Sequence, residues 1–210
     1  MNRAFALAFG LLLLALVGAQ AADEAGWITL FNGKDLTGWE TRKTPDGTGG
    51  KWEVQDGVLC GTQDPPGNGG YLFSKESFGD FELKAEINPD FGLDSGIFFR
   101  CPPNYVGYQI TIDYRPGGQT GTLYCGGWLQ ENPQWEQFYK KDTWNELRIV
   151  CQGSPPHIQA WLNGNQTVDF TDTKADREPR EGPLALQLHG GGSWAGKWTR
   201  FKTIKIKRLQ

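Results

Sequence analysis

Phe81-Glu82-Leu83-Lys84-Ala85-Glu86-Ile87 alternates apolar and charged side chains without a break. A period of two is what a strand with one buried and one wet face requires. Shorter runs continue the pattern at 52–59, 71–75, 96–101, 108–113, 122–125, 146–151, 157–163, 167–170, 184–189 and 201–208. Turn residues fall between or within them, Asp56-Gly57, Pro116-Gly117-Gly118 and Asn163-Gly164, the last a hairpin signal. No stretch carries a helical stripe longer than two turns, so the crossover helices of a parallel sheet are missing. About eleven strands are too many for one open sheet. The predicted fold is therefore all-β, a two-sheet antiparallel sandwich of jelly-roll type.

The 210 residues, 38% hydrophobic and 13% aromatic, suffice for one packed domain and not comfortably for two. With 29 glycines and 12 prolines the composition favours short strands and tight turns over a helix bundle. The 21 basic and 24 acidic side chains leave a net charge of -3, so no nucleic-acid partner is expected. The basic end, Lys202, Lys205, Lys207 and Arg208 interleaved with Phe201, Ile204 and Ile206, is the solvated face of a strand. At the other end Arg3, an apolar run over 4–17 and Ala19-Gln20-Ala21 have the pattern of a secretory signal peptide. Residues 1–21 are thus expected to be removed and 22–210 to form one domain, exported to the periplasm or the extracellular space. The apolar run is too short to span a bilayer, so no membrane span is expected. Cys60, Cys101, Cys125 and Cys151 allow three pairings or four core thiols, and both alternatives stay open. The Gly/Pro-rich segments 44–50 and 63–70 are long enough to frame a cleft.

Alternation also sorts the polar residues. In Leu184-Ala185-Leu186-Gln187-Leu188-His189 the leucines take one face, which sends Gln187 and His189 to the other. Along 108–113, Gln109, Thr111 and Asp113 share the face opposite Ile110 and Ile112. Arg100 leaves the side taken by Ile97 and Phe99, and Lys75 closes the run that contains Tyr71 and Phe73. A sheet face with Arg, Gln, Asp and His has the chemistry of a sugar site, where planar polar groups bond hydroxyls and aromatic rings stack on pyranose C–H faces. Tyr124, Trp128, Trp135, Trp194 and Trp198 lie in polar or Gly-rich contexts and are candidate platforms. His189 runs into Gly190-Gly191-Gly192, which leaves its ring accessible as an acid or base. Asp90 and Asp94 flank a loop that fits no EF-hand spacing, and with only two separated histidines no metal ligand set is assigned.

Six segments in order carry a family resemblance: Leu30-Phe31-Asn32-Gly33-Lys34-Asp35-Leu36-Thr37-Gly38-Trp39, the stretch 52–61, Ser74-Lys75-Glu76-Ser77-Phe78-Gly79-Asp80-Phe81-Glu82-Leu83, Ser95-Gly96-Ile97-Phe98-Phe99-Arg100, Trp161-Leu162-Asn163-Gly164, and Gly182-Pro183 through His189. Together they resemble the 3-keto-disaccharide hydrolase family, formerly a domain of unknown function. The resemblance implies a concanavalin-like jelly roll, export, and a small oxidised glycoside as partner. A 3-keto group acidifies the C2 proton, so one base, one oxyanion partner and one acid suffice in place of the two carboxylates of ordinary glycosidases. On that chemistry His189 is the expected base or acid and Asp113 its carboxylate partner. Arg100 and Lys75 are the oxyanion donors, and Gln109, Thr111, Gln187, Tyr124, Trp128 and Trp194 bind substrate. The family often carries Glu-x-Gln where this chain has Gln109 and Thr111, which removes a carboxylate from that strand. No cofactor is assigned, and a divalent cation on the keto and hydroxyl oxygens stays open. The rival expectation is a non-catalytic carbohydrate-binding module, since such folds host both roles.

Overall fold

A computed structural model describes residues 26–45, 47, 49–103, 105–174 and 179–210. The expected leader, residues 1–21, lies outside the described residues. The predicted sandwich is present as two antiparallel sheets of eight and seven strands. The larger sheet contains β1 (Trp27–Thr29), β3 (Lys51–Gln55), β4 (Val58–Thr62), β6 (Phe81–Ile87), β11 (Asn145–Gln152), β12 (His157–Leu162), β13 (Asn165–Thr171) and β15 (Trp198–Arg208). Its order is β13-β12-β11-β6-β15-β4-β3, with β1 paired to β15. The smaller contains β2 (Trp39–Thr41), β5 (Gly70–Phe78), β7 (Asp94–Phe99), β8 (Tyr108–Asp113), β9 (Leu123–Tyr124), β10 (Trp128–Gln130) and β14 (Gly182–Leu188). Its order is β10-β9-β8-β7-β14-β5-β2.

The register explains the core. On β6 Phe81, Leu83, Ala85 and Ile87 are buried while Glu82, Lys84 and Glu86 are half-buried, as the alternation predicts. Leu83 pairs with Ile149 on β11 and Ile206 on β15. These side chains join Leu72, Ile97, Phe99, Ile110, Leu184 and Leu186 of the other sheet in one apolar cluster. The long run expected at 52–59 divides into β3 and β4 at Asp56-Gly57. Both turn residues have positive φ, 49° and 79°, matching the right-handed twist of a two-residue hairpin. Asn163-Gly164 repeats that geometry, at 50° and 81°, between β12 and β13.

Three strands escaped sequence reading, β1, β2 and β10, because three residues are too few for a period to register. Two of the candidate tryptophan platforms are elsewhere. Trp135, on the one-turn helix α1 (Trp135–Phe138), is in the core with its ring 5.8 Å from that of Tyr114. Trp198 opens β15 half-buried, with the Lys51 ammonium 5.8 Å from its ring. All four cysteines are buried. Burial pushes the Cys151 thiol up to about 12 and raises that of Cys60 as well.

Candidate functional site

The outer face of the seven-stranded sheet holds a cleft of about 760 Å³, into which β5, β14, β7, β8 and β9 send alternate side chains. Register arranges these in levels along the strands. Asp94 is opposite Asp113, Gly96 opposite Thr111, and Phe98 opposite Gln109. Ala185 pairs with Phe98 and Gln187 with Tyr71, so β14 delivers Gln187 beside Gly96 and sends His189, just past its end, toward Asp94. Tyr124 is opposite Gln109, and Trp128 opposite Tyr124. Of the predicted site residues, Gln109, Thr111, Asp113, Tyr124, Trp128, Gln187 and His189 all line this one cleft.

Gly96 makes the floor. A Cβ there would stand 2.1 Å from Gln109 Nε2, so only glycine lets the Gln109 side chain lie across β7. In that pose Gln109 Nε2 donates to Gln187 Oε1 (2.9 Å) and to the Ser95 carbonyl (3.4 Å). The Thr111 hydroxyl donates to the Gln119 carbonyl, anchoring the loop beyond β8.

The ionisable groups gather at one end. Arg115 grips Asp113 with two charge-assisted bonds, Nε to Oδ1 at 2.7 Å and Nη2 to Oδ2 at 2.6 Å. The same Nη2 is 3.4 Å from Asp94 Oδ2, and His189 Nε2 is 3.7 Å from that oxygen. Burial, reinforced by the Asp113 charge, pushes the Asp94 carboxyl up to about 6 against the opposing pull of His189 and Arg115. His189 Nδ1 is 2.7 Å from the Gly190 carbonyl. A carbonyl only accepts, so Nδ1 carries the hydrogen and Nε2 faces Asp94 with its lone pair in the neutral ring. The Trp194 ring is 4.5 Å from the imidazole, and the Arg115 guanidinium is 5.5 Å from the centre of that indole. Trp194 thus contacts both the histidine and the arginine, and is not itself among the residues that line the cleft.

A buried amide holds the histidine's turn. Gln63 Nε2 donates to the carbonyls of His189 (2.7 Å) and Gly191 (2.9 Å), while Oε1 accepts from Gly67 N (2.8 Å). Claiming the two flanking carbonyls leaves that of Gly190 for the imidazole. The segment 63–70 does border the cleft, as expected, with Gly70 in its lining.

Three expectations need correction. Arg100 is not in the cleft: it follows the last residue of β7, takes φ +50°, and this left-handed step ends the alternation that had placed its side chain. It is 2% exposed and bonds Asp80 Oδ1 (2.9 Å), the Gly79 carbonyl (3.1 Å) and the Gly153 carbonyl (3.2 Å), tying loops at the sandwich's end. Lys75 is exposed on β5, four residues and roughly 13 Å beyond Tyr71 at strand rise, and does not line the cleft. Asp113 is taken by Arg115, and the carboxylate nearer His189 is Asp94. Sequence reading missed Asp94, Arg115 and Gln63 as site residues. Asp94 reads in the sequence only as the flank of a loop, and Arg115 lies past the end of β8, where no period reaches. Asp90, the other flank of that loop, pairs with Arg200 Nη1 at 2.5 Å.

The cleft residues do not form a ligand set for a divalent cation. Both oxygens of Asp113 are engaged by Arg115, and among the described residues no three His, Cys, Asp or Glu side chains are grouped to hold a metal ion.

Fold and cleft together define a jelly-roll protein with an open ionisable groove on one sheet. Residues 26–207 match the 3-keto-alpha-glucoside-1,2-lyase-like domain, and the chain belongs to that family. It is 35% identical over 242 aligned positions to the 3-keto-disaccharide hydrolase of Bacteroides thetaiotaomicron, covering 89% of this chain and 80% of that one. A Parabacteroides distasonis crystal structure assigned to the glycosyl hydrolases shares the fold at TM-score 0.64 and 22% identity, covering 95% of this chain and 99% of that one. The Bacillus subtilis carbohydrate-binding module CBM66 shares it at TM-score 0.54 and 14% identity, over 81% and 95%.

Proposed function

We propose that the protein is a hydrolase or lyase acting on 3-keto-disaccharides or related 3-keto-glycosides. The observation that carries this reading is the His189–Asp94 pair beside the Arg115 guanidinium at one end of the cleft. His189 Nε2 removes the C2 proton, and the electron pair passes to the C3 oxygen, whose negative charge Arg115 stabilises. The enolate re-forms the ketone by expelling the C1 oxygen substituent, which takes a proton from Asp94, a carboxyl held partly protonated near neutrality. Water then adds at C1 of the resulting enone and gives one proton to Asp94, while His189 returns a proton to C2, which restores both groups. Gln109 and Gln187, locked to each other across Gly96, contact ring hydroxyls. The same reading takes the protein to be exported, supported by the leader-like residues 1–21.

Turnover of a 3-keto-disaccharide in D2O tests the chemistry, because elimination followed by hydration puts deuterium at C2 and direct displacement at C1 does not. The His189→Ala variant is expected to lose about 10³-fold in kcat, the usual worth of a positioned base. Full turnover in that variant removes the histidine from the mechanism. Glycan binding with no released sugar favours instead a binding module, a role supported by the likeness to CBM66.

A further inference from the structure

The cleft is chemically two-sided. At the Asp94 level stand the ionisable groups Asp94, Asp113, Arg115 and His189, and at the next level Gln187 and Thr111. Beyond them the lining turns apolar, with Phe98, Val106 and Cys125 in the wall and Trp128 and Tyr105 at the rim. Trp128 is 50% and Tyr105 45% exposed, two of the three exposed large apolar side chains among the described residues. The distance from Asp113 to Gln109 is four strand residues, roughly 13 Å, room for two rings end to end.

Hydrogen-bonding capacity is also uneven. Both hydrogens of the Gln109 amide are committed, to Gln187 and to the Ser95 carbonyl, and the Thr111 hydroxyl is committed to Gln119. The far half therefore presents the Gln109 oxygen and tyrosine hydroxyls against a large aromatic and aliphatic surface. A second hexose would bring several hydroxyls against the apolar wall of Phe98, Val106 and Cys125, at a cost of one or more unmade bonds. A flat ring without hydroxyls loses nothing and gains stacking on Trp128 and on the Tyr124 edge beside it, whose ring is 5.2 Å away. Resting on the elimination reading, which places the reacting sugar at the His189 end, we propose that the far half is a leaving-group site that favours aryl over glycosyl leaving groups.

The test is calorimetric binding of the protein to unoxidised phenyl glucoside and to a glucosyl-glucose, together with turnover of their 3-keto derivatives. Phenyl glucoside is expected to bind about tenfold more tightly, the equivalent of one good aromatic contact. Val106→Asn, which adds an amide to the apolar half, and Trp128→Ala, at an exposed position where folding is not at stake, are each expected to bring that ratio toward one. Equal affinity in the unaltered protein, or a ratio that neither variant moves, overturns the preference. Equal binding with turnover of both 3-keto derivatives overturns the preference and leaves the elimination reading intact. Aryl-selective binding with no turnover of either supports the preference and overturns the elimination reading.

Discussion

β6 and β8 begin from the same alternation and end differently. On β6 the outward residues Glu82, Lys84 and Glu86 are half-buried and meet half-buried partners that keep contact with water, Arg148 Nε at 2.6 Å from Glu82 and Lys202 Nζ at 3.2 Å from Glu86. On β8 all six residues are buried, including outward-facing Gln109, Thr111 and Asp113. Burying a polar group is costly unless a partner replaces water. On β8 the partners are protein groups arranged around a cleft, namely Gln187, the Gln119 carbonyl and Arg115. A strand whose polar stripe is buried marks a site, whereas one whose polar stripe is wet marks an ordinary surface.

Four substitutions sharpen that contrast. The largest effect on folding is expected at neither strand: Arg100→Met leaves the Asp80 carboxylate and two loop carbonyls without their guanidinium, and should cost about 3 kcal/mol in denaturant unfolding. Its kcat/KM should stay within about twofold, since the side chain is outside the cleft. A large fall in kcat/KM with unchanged stability would restore Arg100 to the chemistry.

Asp94→Asn should lower kcat about 10²-fold while stabilising the fold. The folded state holds this proton more tightly than the unfolded chain, so ionising the group destabilises the protein as pH rises from near 4 through about 6. The variant should therefore match the natural protein below about pH 4 and exceed it by about 2 kcal/mol at pH 8. Urea melts at the two pH values check the sign, and a variant less stable at pH 8 would refute the buried-carboxyl account.

Gln63→Leu removes both bonds that hold the turn after His189 and should cost about 2 kcal/mol of stability. It should also lower kcat more than it raises KM, because the loosened Gly190 carbonyl no longer fixes the imidazole hydrogen on Nδ1. Nitrogen NMR of the His189 ring, showing a mixture of tautomers in place of one, separates this role from general loosening. The smallest effect belongs to the wet face of β6. Glu82→Gln breaks the pair with Arg148 and should change stability by less than about 0.5 kcal/mol and activity not at all.

Much of the site was legible because strand periodicity is a strictly local property. Gln109 with Thr111 and Asp113, and Gln187 with His189, share faces by the pleat of the backbone alone, and two sheets followed from counting such runs. Legibility stopped where the pleat stopped. Arg100 follows β7 in a left-handed conformation, Arg115 follows β8, and Gln63 lies in a loop whose partners are 126 and 128 residues away.

Which side of a strand a residue occupies is encoded within two residues of it, so local pattern alone specifies the β class, the main hairpins and the polar stripes. Which stripes become neighbours is decided by strand order, and here β14, late in the chain, lies between β5 and β7. That insertion brings His189 to Asp94 across 95 residues of chain, and its burial raises the carboxyl that the proposed chemistry uses. Proximity across such a separation comes from packing and backbone pairing together, and only the tertiary structure supplies it.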